Sequence, residues 1–368
     1  MASLPPIVDD IRAVLGLSAT AAGLLTAAPV LCFGGFALLA PALGRRLGAE
    51  RLLLLSLIPL MVGVVGRAAG STAALFVGTV LAGIGIAIAN VLVPSIVKDR
   101  FEGGAGLITG LYVAALTGGA ALAAGLSVPL ERLIGWQAAL AVWALPAFAA
   151  LIVLGAAVLR ERIPSSIRGE AGGLRLLLGD RLAWQVTLYM GLQSFVFYAG
   201  LAWLATILRD DGYAPGAAGA LLAVFALGGV PAALLVPVLA QRMRGQKALA
   251  AAVTALEAAA LLGLLAAPDA ALAWVALFAL GQGGAIGLAL TLMVLRAPDP
   301  KAAAELSGMA QGFGYALGAL GPFAIGALND WSGSWDVALG ALLAVTVPLF
   351  LFGIEAGRPR TVRAASAA

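Results

Sequence analysis

Histidine is absent from this 368-residue chain, and cysteine occurs once, as Cys32. The first absence removes imidazole catalysis and, with it, almost every zinc or haem site; the second removes disulfides. Charge is also scarce. Only 11% of residues are Asp, Glu, Lys or Arg, against about a quarter in soluble domains, and 62% are hydrophobic. That balance excludes both an ordinary globular enzyme and a disordered chain. No Gly-x-x-x-x-Gly-Lys-Ser/Thr loop occurs, so ATP-driven work is not expected, nor is any cofactor. The net charge of +4 could suit a nucleic acid. The basic residues, however, sit in short clusters between long apolar runs. A lipid bilayer explains that pattern, and no nucleic-acid partner is expected.

Apolar runs of about 18 or more residues can cross a bilayer as helices. They occur at 19–43, 52–70, 73–97, 106–129, 137–159, 184–208, 215–240, 248–267, 270–295, 305–328 and 336–354, eleven in all. They are rich in Ala, Leu and Gly without strand-like alternation, so an all-α multi-pass membrane protein is expected rather than a barrel. Links are short except for 160–183, a polar linker holding Arg160, Glu161, Arg162, Pro164 and Arg168. Alternate links and the C-terminus carry 18 of the 22 Lys and Arg residues, among them Arg45, Arg100, Arg242, Lys247, Arg296 and Arg358. The remaining links carry only Arg12, Arg67, Arg132 and Arg209, together with Asp9, Asp10, Asp210, Asp211, Asp269 and Asp330. The basic side, with the C-terminus, is expected to face the cytoplasm. Trp136, Trp184, Trp203, Trp331 and Trp335 fall near span ends, as interfacial aromatics do.

Shifted by 196 positions, the chain matches itself. Gly16, Gly23, Leu38, Pro41, Leu43 and Arg46 meet Gly212, Gly219, Leu234, Pro237, Leu239 and Arg242. Near a shift of 198–202, Gly110 meets Gly308 and Phe76 meets Phe278. The aligned proline and loop arginine mark a duplication, and parallel repeats are a plan of secondary transporters. The expected organisation is a half-bundle at 1–159, a cytoplasmic linker at 160–183, a second half-bundle at 184–354 and a cytoplasmic tail at 355–368.

Several motifs carry a resemblance. Trp184-Gln185-Val186-Thr187-Leu188-Tyr189-Met190-Gly191-Leu192-Gln193-Ser194, Phe197-Tyr198 and Leu201-Ala202-Trp203-Leu204 are three. Asn90-Val91-Leu92-Val93-Pro94, Gly281-Gln282-Gly283-Gly284 and Ser307-Gly308-Met309-Ala310-Gln311-Gly312 are three more. Together they resemble the cyanate and 2-nitroimidazole transporter family of the major facilitator superfamily, over nearly the whole chain. The resemblance implies two pseudo-symmetric six-helix halves in which the first, fourth, seventh and tenth helices line a central cavity. The superfamily's loop after the second helix has an acid before Arg-x-Gly; here Arg45 stands there, which weakens the carry-over of a latch built on that acid. By the repeat, the partner of the seventh helix would begin about twelve residues before Met1, so the first helix is expected to be largely missing, leaving about 11 complete spans. The family's Asn-Leu-Arg-Pro arginine would lie in the missing part, which counts against anion recognition.

Polar side chains inside a bilayer need partners and are often functional. Gln193 and Phe197 share a face of the seventh helix, Ser194 and Tyr198 an adjacent one, and Gln311 and Tyr315 are four apart in the eleventh. Asn90 lies in the fourth helix and Gln282 in the tenth. Gln193, Phe197, Tyr198, Gln311, Tyr315, Asn90 and Gln282 are the expected substrate-binding residues; helix-to-helix hydrogen bonding is the rival reading, and Ser194, Thr117 and Tyr112 are assigned to packing. Glu257, ten residues after Lys247, is the one acid deep in a span and the candidate for proton coupling; a structural acid is the alternative. Gly106, Gly110, Ala114 and Gly118, and Gly314, Gly318, Pro322 and Gly326, recur every four residues and should let the halves approach closely and rock, or simply pack.

The expected function is secondary active transport of a small polar solute or anion, cyanate-like or nitroimidazole-like, across a bacterial inner membrane by alternating access, as a monomer, with protons as a possible second cargo. The alternative is a proton-coupled efflux pump for small molecules or drugs on the same fold. A receptor would need a signalling domain, and a membrane enzyme a cluster of catalytic groups; neither is visible, and no enzymatic activity is expected.

Overall fold

The computed structural model describes residues 3–101, 103–160 and 173–363. Most of the expected linker, 161–172, lies outside the described residues, as do 364–368 of the tail. Among the described residues the regular structure is all helical. In chain order the helices are α1 (Val8–Leu15), α2 (Ala19–Leu47), α3 (Ala49–Gly66), α4 (Thr72–Arg100), α5 (Ala105–Ala141), α6 (Ala144–Arg160), α7 (Gly173–Leu178), α8 (Arg181–Asp210), α9 (Pro215–Gly228), α10 (Val230–Arg242), α11 (Lys247–Ala266), α12 (Ala271–Leu295), α13 (Pro300–Ser332) and α14 (Trp335–Ala356).

Nine segments among the described residues are long and apolar enough to cross a membrane, and they take in ten of the eleven expected runs. One, Ala105–Ala156, holds two runs. It is broken at Gly135, whose φ of +78° only glycine adopts easily. The eleventh run lies in α13, whose Ser, Gln and Gly residues make it less apolar. Before α2 the chain forms a 3₁₀ turn at Pro5–Ile7 and the short α1, so Asp9 and Asp10 belong to a helix rather than a link. Side-chain caps start the long helices: Ser18 and Ser71 accept from the amides three residues on, Asp180 accepts from Leu182 and Ala183, and Asp299 accepts from Ala302.

The links gather at two ends. At one, Arg100 pairs with Glu50, the Gln246 amide donates to the Gly357 carbonyl, and Arg296 donates to the Ala356 carbonyl and to the Gln246 side chain. Burial lowers the Arg296 guanidinium to about 10. The tail is pinned here too, because the Arg363 amide donates to Asp180 at 2.7 Å and Val362 is buried. At the other end the Tyr213 hydroxyl donates to the carbonyls of Pro268 and Asp269. Asp211 lies there with Asp336 and Asp210, its carboxyl raised first by burial and then by those two charges. Trp136, expected at an interface, is instead buried among Leu4, Ile7, Ile11, Leu75 and Leu140. Arg67 also departs from its reading as a loop residue: it is fully buried, and its guanidinium has no hydrogen-bond partner among the described residues.

The sequence repeat reappears as packing. A Cβ on Gly308 of α13 would meet Pro41 of α2 at 2.6 Å, and one on Gly312 would meet Leu38 at 2.8 Å. Correspondingly, a Cβ on Gly106 of α5 would lie 2.6 Å from the Pro237 carbonyl of α10, and one on Gly110 would lie 2.5 Å from the Leu234 carbonyl. Leu38 and Pro41 are the repeat partners of Leu234 and Pro237, so α2–α13 and α10–α5 are equivalent contacts. The α5 glycines thus face a helix from beyond the linker, as expected. Gly314, Gly318 and Gly326 do not: they face Met190, Ser194 and Trp203 of α8. The reason is helical phase, since Gly308 and Gly312 occupy the other face of α13 and meet α2 instead.

Candidate functional site

Where α2, α4, α5, α8 and α13 approach, uncharged polar side chains converge. The Tyr112 hydroxyl of α5 donates to Asn90 Oδ1 of α4 at 2.9 Å. Gln311 of α13, 1% exposed, donates through Nε2 to the Asn90 main-chain carbonyl at 3.0 Å and to Ser307 Oγ at 2.8 Å. One helical turn on, Tyr315 packs against Phe33 of α2, with ring centroids 5.3 Å apart. Tyr112, and Tyr198 of α8, pack against the same buried cluster that holds Tyr315, and the Tyr198 ring lies 3.3 Å from where a Cβ on Gly318 of α13 would be. Amides and phenols offer both donors and acceptors, which suits a small polar guest.

Asn90, Gln311, Tyr315 and Tyr198 therefore come together, joined by Tyr112, which the sequence assigned to packing. The other expected residues lie differently. Gln193 is buried and, among the described residues, donates to its neighbours Ser194 Oγ at 2.8 Å and Met190 Sδ at 3.4 Å. Phe197 meets Tyr198 edge-on but stacks on Phe225, which in turn packs against Phe278. It belongs as much to the apolar interior of α8, α9 and α12 as to the polar cluster. Gln282 is 3% exposed with neither amide atom hydrogen-bonded, and Glu257 is fully buried with neither carboxyl oxygen bonded, among the described residues. The open depression bounded by Tyr213, Leu221, Asp269 and Leu272 touches none of these side chains.

Beside the cluster, at the end that carries the basic links, α2 and α13 are fastened by an ion pair: Arg45 Nη1 to Glu305 Oε1 at 3.1 Å. The repeat partner of Arg45 is Gln241, and its Oε1 accepts from the Gly106 amide at the start of α5 at 2.5 Å. Both equivalent corners are thus closed, by different chemistry. An acceptor at 241 takes a helix-terminal N–H directly. Arg45 has no acceptor to offer, so its corner needs the Glu305 carboxylate.

A model described as Major Facilitator Superfamily matches residues 1–322. The chain belongs to that superfamily. It is 35% identical over 359 residues to a protein of Escherichia coli (strain K12) named 2-nitroimidazole transporter, covering 97% of this chain and 91% of that one. It is 33% identical over 350 residues to the cyanate transport protein CynX of the same organism, covering 94% and 90%. Among solved structures, the proton:xylose symporter XylE superposes with a TM-score of 0.77 at 15% identity, over 98% of this chain and 93% of that one. This is the major facilitator fold, and the resemblance read from the motifs is correct at family level.

Sequence reasoning paired neither Tyr112 with Asn90 nor Glu305 with Arg45. A signal for the latter was present: Arg45 replaces the family's acid, and a reversed charge calls for a reversed partner.

Proposed function

We propose that this superfamily member is a secondary transporter of a small polar solute, working by alternating access across a bacterial inner membrane with its basic end and C-terminus in the cytoplasm. The two units that rock are 1–159 and 184–354. The observation that carries this reading is the Asn90–Tyr112–Gln311–Tyr315 cluster, built from helices on both sides of the linker, so that relative movement of the units would make and unmake it. Its neutral amides and phenols favour a solute that both donates and accepts hydrogen bonds. The names of the 2-nitroimidazole and cyanate transporters support a planar heterocycle or a small anion, with the heterocycle the better match to an uncharged cluster.

Replacing Gln311 by Ala removes the hydrogen bond that joins α13 to the Asn90 carbonyl of α4 and leaves that acceptor unpaired; with the cluster as the solute's seat, apparent affinity should fall by up to about tenfold. Gln193→Ala is expected to weaken transport less, because that amide is satisfied within its own helix. Uptake by proteoliposomes, with melting temperature as a check on folding, measures both. Wild-type rates and affinity in the Gln311 variant would return these residues to a packing role. A thermal-shift screen of nitroimidazoles, cyanate and other small polar compounds tests the class of solute, since a ligand of the folded state stabilises it. The efflux reading is kept by one observation, the fully buried Glu257 carboxyl, which could carry a proton. Flux under opposite pH gradients separates import from export.

A further inference from the structure

Helix α7, six residues long, lies in the chain that joins the two units. Gly173 and Leu177 are four residues apart and share one face of it. Both are buried, while Arg175, Leu176 and Leu178 are exposed. Leu177 enters the buried cluster that also holds Leu182 of α8, Leu306 of α13 and Val362 of the tail. Just past α7, the Asp180 amide donates to the Leu177 carbonyl at 3.0 Å, and Trp184 Nε1 donates to the Leu178 carbonyl at 2.8 Å. The helix is therefore built into the second unit rather than hung between the two. At its first residue the contact is closer still. A Cβ on Gly173 would fall on the Glu305 carboxylate, with Oε2, Cδ and Oε1 as its three nearest atoms. That same carboxylate makes the 3.1 Å ion pair with Arg45 of α2.

On helix propensity alone, alanine would serve better than glycine at 173, because it favours the helix and restricts the unfolded chain. What glycine supplies there is the space over its Cα, and one carboxylate fills that space. A Glu side chain turns about three torsions, so its charged end has several staggered positions to choose from. Here the α7 main chain stands on one side of it and Arg45 on the other. A methyl group added at 173 has no torsion by which to move aside, and α7 is held by Leu177 one turn on. The carboxylate has to yield instead, and in yielding it leaves the position from which it reaches Arg45.

We propose that Gly173 is a positioning residue for closure at the basic end: its bare Cα seats the Glu305 carboxylate against Arg45, so that the linker helix takes part in fastening α2 to α13. Only the consequence for flux rests on the transporter reading; the seating stands on the contact itself. The test is the rate at which a water-soluble maleimide labels a cysteine placed in the α2–α13 seam by Leu38→Cys. The parent is the purified protein carrying that change and Cys32→Ala, without solute. Gly173→Ala should speed labelling by about tenfold, the size of one charge-assisted hydrogen bond lost. Gly179→Ala, where a new Cβ has its nearest neighbour at 3.6 Å, should label at the parent rate. On a Glu305→Ala background there is no carboxylate to displace, so adding Gly173→Ala should change neither labelling nor melting temperature. A parent rate in Gly173→Ala overturns the proposal. So does an equal acceleration in Gly179→Ala, or a further acceleration on the Glu305→Ala background. Should Gly173→Ala fail to fold by itself, the Glu305→Ala background decides: folding restored there supports the seating, and unfolding there too overturns it. Absence of uptake by a parent protein whose variants label as expected would leave the seating supported and count against the transporter reading only.

Discussion

Glu305→Arg is expected to abolish transport, and adding Arg45→Glu is expected to bring most of it back. The single change sets two cations face to face where an ion pair 3.1 Å long now joins α2 to α13. The two side chains are only 16% and 6% exposed, so solvent screens them weakly. Removing one partner of such a pair typically costs about 3–5 kcal/mol, and like charges add to that. At about 1.4 kcal/mol per factor of ten, the equilibrium between arrangements closed and open at the basic end should move by two orders of magnitude or more. The milder Glu305→Gln keeps the shape and should shift it less. Initial uptake rates in proteoliposomes, alongside labelling of a cysteine placed in the α2–α13 seam, report the loss and the shift separately. A double variant that folds yet transports no better than Glu305→Arg would show that the pair does not govern closure.

The second large effect is expected on stability. In Gly283→Val the new Cβ would lie 1.9 Å from the Gly229 carbonyl oxygen and 2.5 Å from its carbon. Gly229 sits at the break between α9 and α10, where Pro231 leaves a backbone donor missing, so the chain there is held by its neighbours. Overpacking commonly costs about 1–3 kcal/mol, and a clash with main chain, which has no rotamer to yield, belongs at or above the top of that range. The same change at Gly340, where a Cβ meets nothing within 4 Å, should cost no more than about 0.5 kcal/mol. Melting temperatures of the two purified variants make the comparison. Equal values would mean that the α9–α10 break moves away from α12 freely.

The spans were legible because a bilayer imposes a length and an apolarity that few other structures demand, and ten of the eleven runs reappear in helices selected by those two properties. The repeat was legible through Pro41 and Pro237, and the structure gives both prolines the same partner, a glycine on a facing helix. Rotation about each helix axis was harder to read. Glu257 could be placed at its depth by counting from Lys247, but nothing local said that it faces α12 rather than lipid. The same holds for Tyr112, whose partner Asn90 is on another helix, and for Gly314 and Gly318, whose spacing announces close contact without naming the neighbour. Arg67 failed for a further reason: the link to α4 is a 3₁₀ turn packed under α5, so a residue counted as part of a surface link is fully buried.

The two fastened corners differ in what mutation can do to them. At Gln241 the partner is a main-chain N–H, which every residue except proline provides. That corner tolerates any acceptor of suitable reach at 241 and gains nothing from a second change elsewhere. At Arg45 the partner is a side chain 260 positions away. There a substitution that is harmful alone becomes harmless when its mate also changes. Across descendants of this sequence, positions 45 and 305 should therefore drift as a linked pair, while 241 drifts by itself. One joint is thus inherited at a single site, and the other at two.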